Sequence, residues 1–178
     1  TEIVGLSPPI CDVQLRIDQV SHAPDTTVLV TGQSGTGKEL VARCVHERSS
    51  RCHGPFVAIN CAALTEALLE AELFGHARGA FSGAVGDRIG LIEAAHRGTL
   101  FLDEVRELSG RAQAKLLRVV QEGELRRVGE NTVRRVDVQL IAVTNWRLSA
   151  EVTAGRFRQD LLYRLAVVCL LVLPLRAR

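Results

Sequence analysis

Short runs of apolar residues alternate along the chain with longer segments in which apolar residues recur every three or four positions. The runs are apolar throughout, which is typical of parallel strands covered on both faces. We predict strands at Thr27–Thr31, Phe56–Ile59, Thr99–Leu102, Val138–Val143 and Val167–Leu173. The segments between them predict helices at Ile10–Val20, Glu39–Glu47, Leu64–Leu73, Ala112–Gln121 and Phe157–Arg164.

This alternation predicts an α/β sandwich with right-handed crossovers, a class of fold that binds ligands at the carboxyl ends of its strands. Two segments interrupt the alternation. One is a glycine-rich insertion at residues 75–90. The other is Leu125–Asp137, where Gly129-Glu130-Asn131 predicts a turn between two short strands.

Composition and charge narrow the class of protein. The 178 residues suit one domain with a substantial core, and a hydrophobic content of 47% excludes a disordered chain. The net charge of +2 is too small to argue for nucleic acid or a membrane as a partner. The longest apolar run, Leu165–Leu173, is far shorter than the ~20 residues of a membrane span. Because the chain begins at Thr1 and stops after a core-like strand, we expect a piece of a longer polypeptide.

The five cysteines are odd in number and show no Cys-x-x-Cys spacing. We therefore expect no disulfide framework and a reducing, cytoplasmic compartment. The alternative is a zinc site drawn from Cys44, His46, Cys52, His53 and Cys61. Irregular spacing, and the apolar neighbours of Cys44 and Cys61, favour cysteines that merely fill the core or lie on the surface.

The segment after the first predicted strand matches a phosphate-binding loop; it reads Gly32-Gln33-Ser34-Gly35-Thr36-Gly37-Lys38. Its glycines let backbone N–H groups converge on phosphate oxygens, and Lys38 and the start of the next helix add positive charge. A turn that only caps a helix is the alternative, but the flanking strand and helix favour nucleotide binding. Glu39 replaces the hydroxyl residue that usually binds Mg²⁺, so either Glu39, directly or through water, or Thr36 is expected to serve.

Two further strand ends carry polar pairs. Asp103-Glu104 follows an apolar strand, and beside a phosphate-binding loop such carboxylates bind Mg²⁺ (Asp103) and activate the attacking water (Glu104). Thr144-Asn145 ends the strand Val138–Val143, where it would detect the terminal phosphate of a nucleotide. The alternative for Asn145 is an asparagine that caps a turn.

Arg158 and Arg164 lie in the last predicted helix. Exposed arginines are usually only solvated. An arginine supplied by a neighbouring subunit, however, accelerates phosphoryl transfer by about 10³–10⁵. Both residues are therefore candidates for this role.

Together these motifs resemble the central ATPase domain of bacterial enhancer-binding proteins, the AAA+ activators of sigma-54 RNA polymerase. The resemblance extends from Ile3-Val4-Gly5 to Pro174-Leu175-Arg176. It includes GQSGTGKE (32–39), FVAINCAAL (56–64), ELFGH (72–76), GAFSGA (79–84), GTLFLDE (98–104), AKLLRVVQEGELRRVG (114–129) and FRQDLLYRL (157–165). It implies one AAA+ domain over residues 1–178, a three-layer P-loop NTPase sandwich with a parallel five-stranded sheet and no C-terminal helical lid.

The resemblance also implies roles for individual residues. The domain would hydrolyse ATP with Mg²⁺ and remodel sigma-54 RNA polymerase to start transcription. Asn60 would pair with Glu104 and relay the nucleotide state, and Thr144-Asn145 would be the first sensor. Arg158 and Arg164 would reach the ATP of a neighbour in a ring, usually a hexamer. Ile3–Gly5 would lie near the adenine, and DNA would be contacted only by domains absent from this chain.

The insertion at residues 75–90 is implied to be the loop that contacts sigma-54. The contact residues would be Gly79, Ala80, Phe81, Ser82, Gly83 and Ala84. Burying a phenylalanine is worth about 1.5–3 kcal/mol, so an exposed Phe81 on a glycine-rich, hairpin-like tip indicates a contact with another protein. Without nucleotide and partner, the tip is expected to fold down or to be poorly ordered.

The chain departs from the family pattern at three positions. Ser82 stands where threonine is usual, and Arg97 and Arg106 stand where glycine is frequent. Two other functions remain open: a nucleotide-binding module that does not turn over ATP or engage sigma-54, and a small-molecule kinase. The Asp103-Glu104 pair favours hydrolysis, and a kinase has no use for the paired arginines or the Phe81 loop. Without a lid, we expect weak ATP binding and poor assembly.

Overall fold

The structure is a computed structural model that describes residues 3, 7–145 and 147–173. Val4-Gly5 and Pro174-Leu175-Arg176, which belong to the predicted resemblance, lie outside the described residues. The helices and strands, in chain order, are α1 (Pro8–Ser21), β1 (Val28–Gly32), α2 (Lys38–Arg48), β2 (Phe56–Asn60), α3 (Glu66–Phe74), β3 (Gly75–His76), β4 (Arg88–Ile89), α4 (Leu91–Ala94), β5 (Thr99–Asp103), α5 (Gly110–Glu122), β6 (Glu124–Leu125), β7 (Arg134–Arg135), β8 (Gln139–Thr144), α6 (Leu148–Thr153), α7 (Gln159–Leu165) and β9 (Val168–Val172).

The main sheet has five strands in the order β2-β5-β8-β1-β9, and every neighbouring pair is parallel. Its strands are the five that the apolar runs predict, each within one residue of the predicted start. Parallel pairing brings the carboxyl ends of β1, β2, β5 and β8 to one edge of the sheet. The predicted α/β arrangement with a parallel five-stranded sheet is confirmed.

Two hydrophobic cores flank the sheet because successive strand residues point to opposite faces. Leu29, Leu100 and Leu102 pack with side chains of α3, α5 and α7 on one face. Val30 and Phe101 pack with side chains of α1 and α2 on the other. These two cores make the three layers that the resemblance implies. Among the helices of the described part of the chain, none has the length and apolar character to cross a bilayer.

Local chemistry sets several helix boundaries. The Ser109 hydroxyl accepts a hydrogen bond from the Ala112 N–H and caps the start of α5. Gly123, directly after the last helical residue, adopts the left-handed conformation (φ 64°) and caps its end. The last predicted helix begins later than expected, at Gln159, so Phe157 and Arg158 precede α7. The short helices α4 and α6 were not predicted, because so few residues show no clear helical period.

Both interruptions of the strand-helix alternation form hairpins. β3 pairs with β4 in antiparallel fashion, which closes the glycine-rich insertion at its base. β6 pairs with β7 in the same way, as predicted for Leu125–Asp137, although each strand has only two residues. The two hairpins thus stand outside the main sheet.

Arg97 adopts a left-handed backbone conformation, with φ of 61°. This conformation costs an L-residue about 1–2 kcal/mol, and glycine avoids most of it at an entropic cost of about 0.5–1 kcal/mol. We therefore expect Arg97→Gly to raise the free energy of unfolding by about 0.5–1 kcal/mol in urea titrations. Arg126→Gly is the matched control, because Arg126 is also exposed but has no positive φ; it should lower stability. An Arg97→Gly protein no more stable than its parent contradicts the assignment of strain.

Candidate functional site

The phosphate-binding loop joins β1 to α2, as predicted. Gly35 (φ 76°) and Gly37 (φ 81°) adopt the left-handed conformation that glycine accepts readily, and Gly37 forms the N-terminal cap of α2. Gly32 is required for another reason: a Cβ there would lie 2.4 Å from the carbonyl oxygen of Val172 in β9. The loop therefore turns tightly into the start of α2, where an anion is favoured.

The ammonium of Lys38 lies on this loop. Its Nζ atom donates to the carbonyl oxygens of Gly32 (3.0 Å) and Gln33 (2.8 Å), and the side chain is buried. Because an ammonium has three N–H bonds, one donor remains for a phosphate oxygen. The loop carbonyls thus hold the cation where the phosphates of a nucleotide would lie.

The two candidate Mg²⁺ ligands of the loop differ in their surroundings. The Thr36 hydroxyl is buried and donates to the Gln33 carbonyl at 2.8 Å. The Glu39 carboxylate is exposed and accepts two hydrogen bonds from Arg43, one turn later on α2 (3.0 and 2.8 Å). Glu39 is thus held on the helix surface by an ion pair.

Asp103 and Glu104 lie where β5 ends, as predicted. The Asp103 carboxylate accepts the Glu104 N–H at 3.0 Å, and Glu104 itself adopts the left-handed conformation (φ 52°, ψ 51°). Such a conformation costs a non-glycine residue about 1–2 kcal/mol, and strain of this kind is concentrated at functional sites. The strained turn projects Glu104 from the carboxyl edge of the sheet.

Several of the predicted site residues lie close enough to Glu104 to affect its pKa. Burial, and next the Asp103 carboxylate, raise the pKa of Glu104. The charges of Lys38 and Arg106 and a hydrogen bond with the backbone of Asn145 act in the opposite direction. A carboxylate with a raised pKa in such a setting is suited to accept a proton.

Asn60 and Thr144 also end strands at this edge. Asn60 is opposite Asp103 in the β2–β5 register, and its Oδ1 accepts the Ala62 N–H at 2.9 Å. The implied pairing of Asn60 with Glu104, which would use the Asn60 Nδ2 as donor, stays a prediction. Thr144 is fully buried, and Asn145 is exposed.

Among the described residues, no group of three or more His, Cys, Asp or Glu side chains is arranged to hold a metal ion. Mg²⁺ does not need such a cage, because it commonly binds through one or two carboxylates together with the phosphates of a substrate. Asp103, at the same sheet edge as the phosphate-binding loop, fits that kind of site.

An apolar cavity lies beside the phosphate-binding loop. Most of its lining is aliphatic, and the lining residues are Ile3, Pro9, Ile10, Val13, Thr36, Gly37, Leu40, Val41, Val172 and Leu173. Ile3 is the described residue of the segment that was expected near adenine. Thr36 and Gly37 belong to the predicted phosphate-binding loop. The remaining lining residues were not predicted, because they come from α1, α2 and the end of β9, and only folding brings these elements together.

Arg158 and Arg164 are both exposed. The Arg158 guanidinium makes a two-pronged ion pair with Asp160, with Nε–Oδ1 and Nη2–Oδ2 distances of 3.0 and 2.7 Å. This hydrogen bonding raises the pKa of Arg158 and lowers the pKa of Asp160. Arg164 lies in the last turn of α7. Both cations thus lie on the surface, available to a neighbouring molecule.

The tip of the glycine-rich insertion is an ordered set of turns. The Gly79 N–H donates to the Ala84 carbonyl at 2.8 Å, and the Ala84 N–H donates to the Phe81 carbonyl at 3.0 Å. Gly75, Gly79 and Gly83 all have positive φ, which explains why glycine occupies these positions. The Phe81 side chain is 45% exposed. Its ring packs edge-on against the His76 ring, with 4.9 Å between the ring centroids.

The insertion packs on the second hairpin. The Ala77 N–H donates to the Val128 carbonyl and the Val128 N–H to the Gly75 carbonyl, both at 2.9 Å. Close approach explains Gly129, where a Cβ would lie 2.7 Å from the Cβ of Ala80. Phe81 borders a cleft of about 540 Å³ between the insertion and α3. The tip therefore lies down against the domain.

Comparison with known proteins adds independent findings. A family model described as the sigma-54 interaction domain matches residues 3–171. The anaerobic nitric oxide reductase transcription regulators NorR of Escherichia fergusonii and Escherichia coli strain K12 are 54% and 53% identical to the chain over 178 residues. The match covers all of this chain but 35% of each regulator, so the chain spans about a third of the length of these relatives.

Several solved structures share the fold of this chain. NtrX from Brucella abortus in complex with ADP has a TM-score of 0.91 at 39% identity, covering 99% of this chain and 38% of that one. The complex of NtrX with ATP has a TM-score of 0.88 at 39% identity, covering 96% of this chain and 36% of that one. The P-loop NTPase domain of a sigma-54 transport activator from E. coli has a TM-score of 0.66 at 24% identity, covering 97% of this chain and 99% of that one. This likeness supports the fold alone. The fold is that of a P-loop NTPase.

Proposed function

Because the chain belongs to the sigma-54 interaction domain family, we propose that it hydrolyses ATP and uses the nucleotide cycle to remodel sigma-54 RNA polymerase and start transcription. The observation that carries this proposal is the convergence of Lys38, Asp103 and Glu104 at one edge of the sheet. Contact with DNA is assigned to regions of the protein outside this domain. A cytoplasmic location stays a prediction.

ATP binding is assigned to the phosphate-binding loop and the adjoining apolar cavity. The backbone of residues 32–38 and the Lys38 ammonium would bind the phosphates, while the cavity that Ile3 lines would take the adenine. The complexes of the relative NtrX with ADP and ATP support this assignment. Asp103 would hold Mg²⁺, which would offset negative charge on the phosphate oxygens.

Hydrolysis is assigned to Glu104. Its carboxylate would take a proton from the water whose oxygen attacks the γ-phosphorus, as the bond to the bridging β,γ-oxygen breaks and ADP leaves. Thr144-Asn145 would detect the γ-phosphate next to Glu104. Arg158 and Arg164 of a neighbouring subunit would stabilise the charge that develops. This requires contact between subunits, as in the ring, usually a hexamer, that the family resemblance implies.

Remodelling is assigned to the path from the sheet edge to Phe81. Asn60 ends β2, a short 3-10 helix and α3 follow it, and α3 leads directly into Gly75 at the base of the insertion. A hydrogen bond from the Asn60 Nδ2 to the Glu104 carboxylate, formed in one nucleotide state, would therefore shift α3 and lift the insertion from the second hairpin. This is a two-state element biased by the γ-phosphate.

The test is retention of the full-length protein on immobilised sigma-54 in the presence of an ATP transition-state analogue. We expect retention of the parent, and a loss of about ten- to hundredfold for Phe81→Ala, equivalent to the ~1.5–3 kcal/mol of burying the ring. Val85→Ala is the matched control, because Val85 is an 85% exposed apolar residue of the same insertion outside the contact motif.

Two outcomes would contradict the proposal. If the parent is not retained with the analogue, the domain does not engage sigma-54 and functions as a nucleotide-dependent module of another kind. If Phe81→Ala lowers ATP turnover as severely as retention, the insertion belongs to the catalytic site rather than to a separate contact surface.

A further inference from the structure

Gln113 is a fully buried polar residue in the first part of α5. Its neighbours Ala112, Leu116 and Leu117 all belong to the hydrophobic core on that face of the sheet. A glutamine is rarely buried completely, and leaving its amide without partners would cost about 1–3 kcal/mol. The partners of this amide therefore indicate why it is there.

The Gln113 side chain makes three hydrogen bonds, all to backbone groups. Its Nε2 donates to the carbonyl oxygens of Leu108 (2.8 Å) and Arg156 (3.0 Å). Its Oε1 accepts the N–H of Arg158 at 2.8 Å. One amide thus links the segment that follows Glu104 to the segment that carries Arg158.

The segment before α7 is fixed from its other side as well. The N–H groups of Arg156 and Phe157 both donate to the Glu151 carbonyl, and the Arg156 guanidinium pairs with the Glu151 carboxylate (2.7 and 3.0 Å). The Phe157 ring is buried in the core. Gln113 contributes what these contacts lack, a hydrogen bond to the backbone of Arg158 itself.

From these contacts we infer that Gln113 is a positioning residue for Arg158, and that it sets where this arginine enters the ATP site of the neighbouring subunit. The inference rests on the proposed function, in which Arg158 acts in trans. Gln113 lies in the same subunit as Arg158, whereas the ATP that Arg158 would contact is bound by the neighbour. A change at Gln113 should therefore alter hydrolysis in the neighbouring subunit. The bond to Leu108, four residues after Glu104, anchors the arginine to the loop of that subunit's own catalytic carboxylate.

The test is Gln113→Leu in the full-length protein. Because a displacement of about 1 Å at a catalytic group costs as much as 10²-fold in rate, we expect kcat for ATP to fall about ten- to hundredfold. KM and the affinity for a fluorescent ATP analogue should change less than about twofold, since the hydrogen bonds of the Gln113 amide go to Leu108, Arg156 and Arg158 and not to the phosphate-binding loop. If Gln113→Leu does not fold, as judged by circular dichroism, Gln113→Met takes its place because it keeps the side-chain length without the amide.

Gln139→Leu is the matched control. Gln139 is also a buried glutamine, at the start of β8, and its amide contacts Thr99 and the Thr26 carbonyl at 3.5 Å. Its replacement should lower the unfolding temperature without changing kcat. If the two variants lose stability and turnover in the same proportion, Gln113 is only structural and the inference fails.

Mixed oligomers give the decisive readout. Gln113→Leu chains keep their own ATP site, and Lys38→Ala chains keep a correctly placed Arg158, so a mixture should turn over more ATP than the sum of its parts. A mixture of Arg158→Ala with Lys38→Ala is the reference. Recovery in the reference mixture alone overturns the inference and leaves the proposed function intact. Recovery in neither mixture contradicts the arginine in trans, and with it the inference.

Discussion

Replacing Glu104 with glutamine in the full-length protein is expected to lower kcat for ATP hydrolysis by about 10²–10⁴, the contribution of a general base. Glutamine keeps the shape of the side chain but cannot accept the proton of the attacking water. Nucleotide binding should persist, because Lys38 and the loop carbonyls that hold it are unchanged. Phosphate release measures the first effect, and titration with a fluorescent ATP analogue measures the second.

Glu122→Gln provides the control for this substitution, since Glu122 is an exposed carboxylate at the end of α5. It should hydrolyse ATP at the parent rate. Parent-like turnover of Glu104→Gln would remove Glu104 from the mechanism and favour a module that binds nucleotide without this catalytic step.

The pH dependence of the parent enzyme is part of the same expectation. The pKa of Glu104 is raised by burial and by Asp103, so its carboxylate takes up a proton at a higher pH than an ordinary glutamate (about 4.3) does. Because only the ionised form accepts a proton, kcat should fall as the pH is lowered through this raised pKa. The acid limb should be absent from the residual activity of Glu104→Gln.

Arg158→Ala is expected to have the other large effect, a loss of about 10³–10⁵ in kcat, which is the usual contribution of an arginine supplied in trans. The side chain lies on the surface, paired with Asp160, and the neighbour's phosphate would take the place of that carboxylate. Arg16→Ala is the control, because Arg16 is an exposed arginine of α1 that is likewise paired with an aspartate, Asp12.

Mixing separates action in trans from action in cis. In rings that contain Arg158→Ala and Lys38→Ala chains, some ATP sites combine an intact phosphate-binding loop with an intact arginine from the neighbour. Turnover above that of either variant alone is therefore expected. If mixed rings remain as inactive as the separate variants, Arg158 does not act across a subunit interface.

The strands and the phosphate-binding loop were predictable because contiguous residues encode them. A fully apolar run is sufficient to predict a covered strand, and Gly35, Gly37 and Lys38 carry the loop in adjacent positions. The family resemblance, read from ordered motifs, is confirmed by the match of the family model to residues 3–171. The helices α4 and α6 were missed because they are too short to show a period.

The candidate site was only partly predictable. The pattern placed Asp103, Glu104 and Asn145 at strand ends, and parallel pairing necessarily brings such ends to one edge. It did not show that Asn60 caps the following turn, or that residues of α1 and β9 line a cavity beside the loop. Gln113 carried one signal, a polar residue among the apolar positions of a helix, but two of its three partners lie 43 and 45 residues away.

By itself, then, the sequence determined the fold class, the family and the phosphate-binding loop, since each depends on local chemistry and spacing. Tertiary structure alone decided that the insertion lies on the second hairpin, where Gly129 leaves room for Ala80. It also decided that a buried amide holds the backbone of Arg158. The physical reason is that hydrogen bonds and close contacts between distant segments depend on how the layers pack, and no local pattern specifies that packing.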